Sequence, residues 1–328
     1  SALSSPRKEA DRLEVLSGIF EGKTTGAPIA IIVRNRDPKS QHYEPLKALF
    51  RPGHADYCFQ QKYGIRDWRG GGRSSGRETV SRVAAGAIAR QLLAARGVEI
   101  LAHVVRIGEI TAPSVLEGAT LSREGIDASP ARCADAEAGA RMEAAVAAAQ
   151  KAGDSLGGVV EVVARGLPAG WGDPVAQKLD AELAAALVSI GAVKGVEFGA
   201  GFALAAKRGS QSNDTLLPGE AGAPPSFATN RMGGVLGGIS SGQELVCRLA
   251  VKPTSSIRVP QQTVDSEGNA TTLRVRGRHD PCICPRVVPV AEAMVALVLC
   301  DAYLRQQALQ EAPPAALEAD YELARCEA

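Results

Sequence analysis

The feature that most constrains this chain is a helix running directly into a strand over residues 75–110. "SGRETVSRVAAGAIARQLLAARG" (75–97) places Val80, Val83, Ala84, Ala87, Ile88, Leu92 and Ala95 on one stripe at helical spacing. Ser75 is a candidate N-cap, Glu78 stands at capping-box distance, and Gly97 ends the pattern. "VEILAHVVRIGEI" (98–110) follows at once and reads as a strand. The same order recurs, with a helix over 134–154 before a strand in "GGVVEVVARGLP", and a helix then a strand within 176–201. Strands are also predicted in "GAPIAIIVRN" (26–35), "GQELVCRLAVKP" and "TLRVRGR", and a last helix over 287–310. No fixed period of 20–50 residues repeats, which excludes a solenoid. Layers of helix and sheet, α+β or α/β, are the class these residues predict. The Ala-rich, acidic stretch from Glu311 to Ala328 is expected to be a frayed tail.

Charge narrows the function. Lys and Arg total 37 against 36 acidic residues, a net charge of +1, so no global field draws in nucleic acid or a membrane surface. Aromatics are only 4% of the chain, leaving few platforms for stacking bases. The seven cysteines are odd in number and irregular in spacing, with no CxxC pair, which predicts reduced thiols in a cytoplasmic protein and no metal site. "SALSSPRKEADRLEV" lacks the apolar stretch of a signal peptide, and no apolar run is expected to reach the roughly 20 residues that cross a bilayer.

Against that neutral background, "RPGHADYCFQQKYGIRDWRGGGRSSGRET" (51–79) concentrates Arg51, Arg66, Arg69, Arg73 and Arg77 with glycine. Glycines let backbone N–H groups approach an anion, and the following helix presents its N-terminal donors to the same spot. A flexible turn feeding a capped helix is the plainer reading. Four arginines within residues 66–77 argue for an oligoanionic ligand as their partner. There is no GxxxxGK[ST] loop. His54 is either a structural histidine or a general acid for a bound phosphate. "NRMGGVLGGISSGQ" (230–243) is a hairpin, or a glycine surface on which a flat ligand can lie. "KPTSSI" (252–257) sets one Lys, one Thr and two Ser at a strand end, as a phosphate clamp would. In "RGRHDPCICP" (276–285), Asp280 either caps a turn before Pro281 or is a base held among cations. These residues predict an enzyme or binding protein for a phosphorylated anion, with a flat phosphate-bearing cofactor.

"RPGHADY", "KYG", "RGGGRSS", "RVAAGAIA", "GGISSGQ", "KPTSSI" and "RHDP", with "SPRKEADRLEVLSGIFEGKTTGAPIA" near the start, stand in the order and rough spacing of the chorismate synthase family. The resemblance runs from about residue 5 to about residue 305. It implies a β–α–β sandwich, helices packed between antiparallel sheets, filling a single domain over 1–310, and a homotetramer. It implies the final step of the shikimate pathway: phosphate and a C6 hydrogen leave 5-enolpyruvylshikimate 3-phosphate in a 1,4-elimination that needs reduced FMN without net redox change. Matched residue by residue, Arg51 and Arg77 resemble ligands of the substrate anions, and His54 the acid that protonates departing phosphate. Arg73, Ser74 and Ser75 resemble the first flavin-contact segment, Gly237 the glycine under the flavin, and Lys252, Pro253, Thr254, Ser255 and Ser256 the strip along the FMN tail. Arg278 resembles a ligand near both flavin and substrate, and Asp280 the carboxylate that deprotonates flavin N5.

Departures from the pattern carry expectations of their own. Gly191-Ala192 replaces the common Asn-Ala, so that flavin contact is expected through backbone alone, and "SSGRET" replaces "SSARET". The family's Gly-Glu-Ser-His-Gly segment, whose His is held to protonate the reduced flavin, and the Arg-rich Arg-Pro-Gly stretch that follows it ahead of "PRKEAD", distinct from Arg51-Pro52-Gly53, are not among these 328 residues. A chain without them is expected to lose much of its activity and part of one sheet. The alternative function is therefore an FMN- and anion-binding homologue with impaired catalysis. Some fungal members reduce their FMN with NADPH; with no GxGxxG fingerprint here, an external reductant is expected.

Overall fold

The computed structural model describes residues 11–35, 40–69, 75–219, 224–275, 277 and 279–311. Two short strands, β1 (Leu13–Val15) and β2 (Ile31–Val33), form an antiparallel ribbon. Helices α1 (Asp56–Tyr63) and α2 (Thr79–Ala94) precede β3 (Glu99–Ile107) and β4 (Ile110–Thr111). Then come α3 (Arg123–Ala128), α4 (Ala136–Ala152), β5 (Gly158–Arg165), α5 (Leu179–Val188) and β6 (Val193–Phe198). A hairpin of β7 (Val235–Leu236) and β8 (Ile239–Ser240) leads to β9 (Leu245–Val251), a second hairpin of β10 (Gln261–Val264) and β11 (Ala270–Leu273), and α6 (Cys284–Glu311).

Strands β4-β3-β5-β9-β6 form one antiparallel sheet in that order, with Glu99 opposite Arg165, Leu245 opposite Ala164 and Cys247 opposite Phe198. Alternation sorts its faces. Ile100, Ala102, Val104, Val160, Val162, Ala164, Cys247 and Leu249 pack on a helical layer of Leu93 from α2, Leu183 and Leu187 from α5, and Val288, Val295 and Leu299 from α6. Each such buried aliphatic side chain contributes about 1.5–3 kcal/mol. Ribbon strand β2 lies against α2, so helices stand between two antiparallel sheets, the α+β sandwich expected. Gly86 makes the α2–α6 crossing close: a Cβ there would stand 2.4 Å from Ala293 Cβ.

The other face of the sheet carries Leu101 and Val163 under Leu121 and Ile126, with a buried polar pair beside them. His103 Nε2 lies 3.1 Å from Glu161 Oε1, and Glu161 also accepts from Ser114 Oγ and from Val115 N. Burial pushes the Glu161 carboxyl up, but these bonds outweigh it and hold it below its ordinary value.

Glu292, buried on α6, closes the outer edge of β3. Its Oε1 accepts from Ala102 N at 2.8 Å, where no neighbouring strand reaches, and from Arg123; its Oε2 accepts from Arg90 at 2.9 Å. Val104 N donates to Arg132 O, completing the covered edge.

Three sequence expectations are revised. Ser75 caps a 3₁₀ turn (Gly76–Glu78) before α2, and Glu78 bonds forward to Arg82 at 2.9 Å instead of closing a capping box. The strand expected over 272–278 ends at Leu273, where its partner β10 ends. Helix α6 is long and apolar enough to cross a membrane, with mean hydropathy 1.9, against the expectation that no run would be. It is a central helix of the core. The tail expected to fray from Glu311 lies, after that residue, outside the described residues.

Candidate active site

The site is built where the turn before α1 meets the strand end after β9. Arg51, Pro52 and Gly53 turn the chain, with Gly53 at φ +65° and His54 N bonded to Arg51 O. Asp56, the first residue of α1, is 4% exposed and sits beneath Arg51, His54 and Arg66. Arg51 grips it with two guanidinium bonds, Nε to Oδ2 at 2.7 Å and Nη2 to Oδ1 at 2.9 Å, and its backbone N reaches Oδ2 at 3.2 Å. His54 Nδ1 lies 2.9 Å from Oδ1 as a close ionic contact off the N–H line, and Arg66 Nη1 stands at 3.2 Å. Burial pushes the Asp56 carboxyl up, yet the bonds from Arg51 and the close contact of His54 hold it far below the carboxylate range.

The 252–256 strip faces this turn. Lys252 Nζ donates to Gly53 O at 3.0 Å, Ser255 Cβ is 3.5 Å from where a Cβ on Gly53 would stand, and Ser256 Oγ accepts from Arg51 Nη1 at 3.3 Å. Lys252 N donates to Ala192 O, which brings Gly191-Ala192 to the same place, with Ala192 in the left-handed region at φ +74°. Pro253 lies against Gly157, where a Cβ would come within 2.9 Å of its ring. Thr254 O accepts from Ser155 Oγ at 2.7 Å, while Thr254 Oγ1 is buried without a hydrogen-bond partner among the described residues. Burial, then the charge of Lys194, lowers the Lys252 pKa from its ordinary value.

Ser256 also lines a small solvent-open cleft with Asp154, Ser155, Arg258, His279 and Asp280. Asp280 Oδ2 is 3.3 Å from Arg286 Nη1, and Pro281 O accepts from Leu156 N, holding this segment to the α4 end. Arg51, His54, Gly191, Ala192, Lys252 to Ser256 and Asp280 thus form one connected neighbourhood.

Other expected residues stand on different elements. Arg77 bonds Asp11 Oδ1 at 2.9 Å and Arg34 O at 3.3 Å, beside the ribbon. Ser75 accepts from Arg77 N. Gly237, at φ +60°, turns the β7–β8 hairpin with open space where its Cβ would be. Arg73, Ser74 and Arg278 lie outside the described residues. The arginine cluster has protein partners of its own. Arg66 donates to three carbonyls, of Leu46, Lys47 and Leu49, as well as meeting Asp56, and Arg69 pairs with Asp67 at 2.8 Å. Sequence reasoning passed over Asp56, although an acid two residues after His54 amid so many cations was a legible signal.

Fold and site together define an α+β protein in which Arg51 and Lys252 stand beside a cleft lined by the Ser155 and Ser256 hydroxyls, Arg258, His279 and the carboxylates of Asp154 and Asp280. A model of the chorismate synthase family matches residues 1–304. The chain is 53% identical over 308 residues to the chorismate synthase of Syntrophus aciditrophicus, covering 94% of this chain and 84% of that protein. To the chorismate synthase of Methanocella arvoryzae it is 54% identical over 303 residues, 92% of this chain and 80% of the other. A solved structure described as "Crystal Structure of Chorismate Synthase" superposes with a TM-score of 0.71 at 32% identity, covering 90% of this chain and 78% of that one. The chain belongs to the chorismate synthase family, and its relatives are enzymes.

Proposed function

We propose that this chain carries out the elimination its family is named for, releasing phosphate from 5-enolpyruvylshikimate 3-phosphate to give chorismate, with reduced FMN as cofactor. The supporting observation is Ser256, which bonds Arg51 on one side and lines the Asp280 cleft on the other. It joins the proposed anion ligand to the proposed proton acceptor. Bound reduced FMN supplies electron density to the breaking C–O bond. The residues fit it: Thr254 offers a buried hydroxyl unpartnered among the described residues, Lys252 a cation, and Gly191 leaves open space above backbone.

In this reading Arg51 holds the departing phosphate through Nη1, which also reaches Ser256, while its Nε and one Nη2 donor are taken by Asp56. The doubly protonated His54 ring gives its Nε2 proton to the leaving oxygen and keeps the one on Nδ1, which faces Asp56. Asp280 takes up a proton at its carboxylate, and Lys252 to Ser256 hold the cofactor phosphate. The roles of Arg73, Ser74, Ser75, Arg77, Gly237 and Arg278 rest on the family resemblance. A homotetramer in the cytoplasm, served by an external reductant, belongs to the same proposal.

The test is anaerobic incubation of the chain with dithionite-reduced FMN and 5-enolpyruvylshikimate 3-phosphate. Chorismate formation is expected. FMN binding without chorismate would favour the non-catalytic homologue, and neither binding nor turnover would overturn the proposal.

A further inference from the structure

We infer that Asp56 is the positioning residue of this site, fixing the tautomer of His54 and the orientation of Arg51 at once. The inference rests on the proposed function in taking His54 as a proton donor. Its structural basis is the division of labour on one buried carboxylate. Oδ2 takes Arg51 Nε and the Arg51 backbone, while Oδ1 takes Arg51 Nη2, His54 Nδ1 and Arg66 Nη1. The two-point grip on the planar guanidinium removes its rotational freedom and leaves Nη1 directed at Ser256 Oγ. On the ring, Asp56 Oδ1 lies 2.9 Å from Nδ1 but off the N–H line, so a small turn of the ring seats an Nδ1 proton on the carboxylate and leaves Nε2 on the far side.

Stability alone accounts poorly for this arrangement, because a buried ion pair is weak evidence of stabilisation. Arg66 is itself anchored to the carbonyls of Leu46, Lys47 and Leu49, so it braces the carboxylate from behind. Two fixed guanidinium charges against one carboxylate leave the cluster with a positive excess, which keeps it attractive to a phosphate. Asp56 thus orders the cations without cancelling them.

The experiment is ¹⁵N NMR of the His54 imidazole in the neutral ring, combined with kinetics of Asp56→Asn, His54→Ala and the double variant. In the native chain the neutral ring is expected to carry its proton on Nδ1; a proton on Nε2 overturns the inference, and this reading needs no variant to fold. Asp56→Asn leaves Arg51 one acceptor oxygen instead of two and sets an NH₂ group toward the ring, so the neutral ring's proton moves to Nε2, the doubly protonated donor form is disfavoured, and kcat falls about 10²-fold or more. In the His54→Ala background the same change costs clearly less kcat, since only the Arg51 share of the loss remains. An equal loss in both backgrounds overturns the inference, since Asp56 would then act other than through His54. Full activity in His54→Ala would sink the proposed function instead, and the tautomer of the native ring would still decide the positioning role.

Discussion

Lys252 donates from Nζ to the carbonyl oxygen of Gly53 at 3.0 Å, joining two segments 199 residues apart in the chain. This contact makes the strand end after β9 and the turn before α1 a single surface. Because burial and then Lys194 lower its pKa, Lys252 loses its charge at a lower pH than an ordinary lysine, whose value is about 10.4. Affinity for inorganic phosphate, followed by calorimetry, is expected to weaken on the alkaline side before that value is reached. Lys252→Met should bind more weakly and lose this dependence. A native affinity unchanged through the alkaline range would contradict the assignment.

Asp56 and Glu161 both have folded pKa values below their unfolded ones of about 3.9 and about 4.3. Depressed carboxyl values contribute stability that is fully present above the unfolded value and lost as pH falls below it towards the folded one. The urea midpoint should therefore drop steeply below about pH 4. Asp56→Asn, which leaves Arg51 and Arg66 uncompensated, should cost about 3–5 kcal/mol at neutral pH and flatten the acid drop. Parallel curves for the two proteins would count against this.

Gly86 sits where α2 crosses α6, and two effects of opposite sign meet there. Alanine gains up to about 1 kcal/mol of helix propensity, but its Cβ would lie 2.4 Å from Ala293 Cβ and 2.5 Å from Ala293 Cα. Overpacking of that kind costs about 1–3 kcal/mol and wins. Gly86→Ala should unfold at lower temperature in calorimetry; an unchanged or higher midpoint would mean the helices can part without penalty.

Glu292 substitutes for a missing strand at the β3 edge. Glu292→Gln keeps an oxygen for Ala102 N but withdraws the charge from Arg90 and Arg123, whose side chains are 40% and 30% exposed. Solvent screening reduces the loss to about 1–3 kcal/mol. Hydrogen exchange should show faster opening at Ala102 than at the β5–β9 centre, and uniform protection would refute the edge role.

Much of this architecture could be read from period alone. The stripe from Val80 to Ala95 specified α2, and the apolar runs around Val104, Val162 and Leu249 specified their strands, because burial on a helix-covered face writes itself into side-chain type. Strand order could not be read. β9 lies between β5 and β6 although it follows β6 by a long connection, and no local pattern encodes that insertion. The polar line through His103 and Glu161 was hidden for the same reason: each stands between aliphatic neighbours in its own strand, and only the register makes them partners. At the site, motif order marked Arg51, His54 and Lys252, whereas the partners of Arg66 and Arg69 depended on the fold.

The central claim is that phosphate leaves from the corner formed by Arg51, His54 and Ser256. Rapid-quench measurement of phosphate release from 5-enolpyruvylshikimate 3-phosphate, with reduced FMN in excess, tests it directly on the native chain and His54→Ala. The account predicts a release rate lower by about 10²-fold or more in the variant, with substrate affinity little changed. Equal release rates in the two proteins would contradict it.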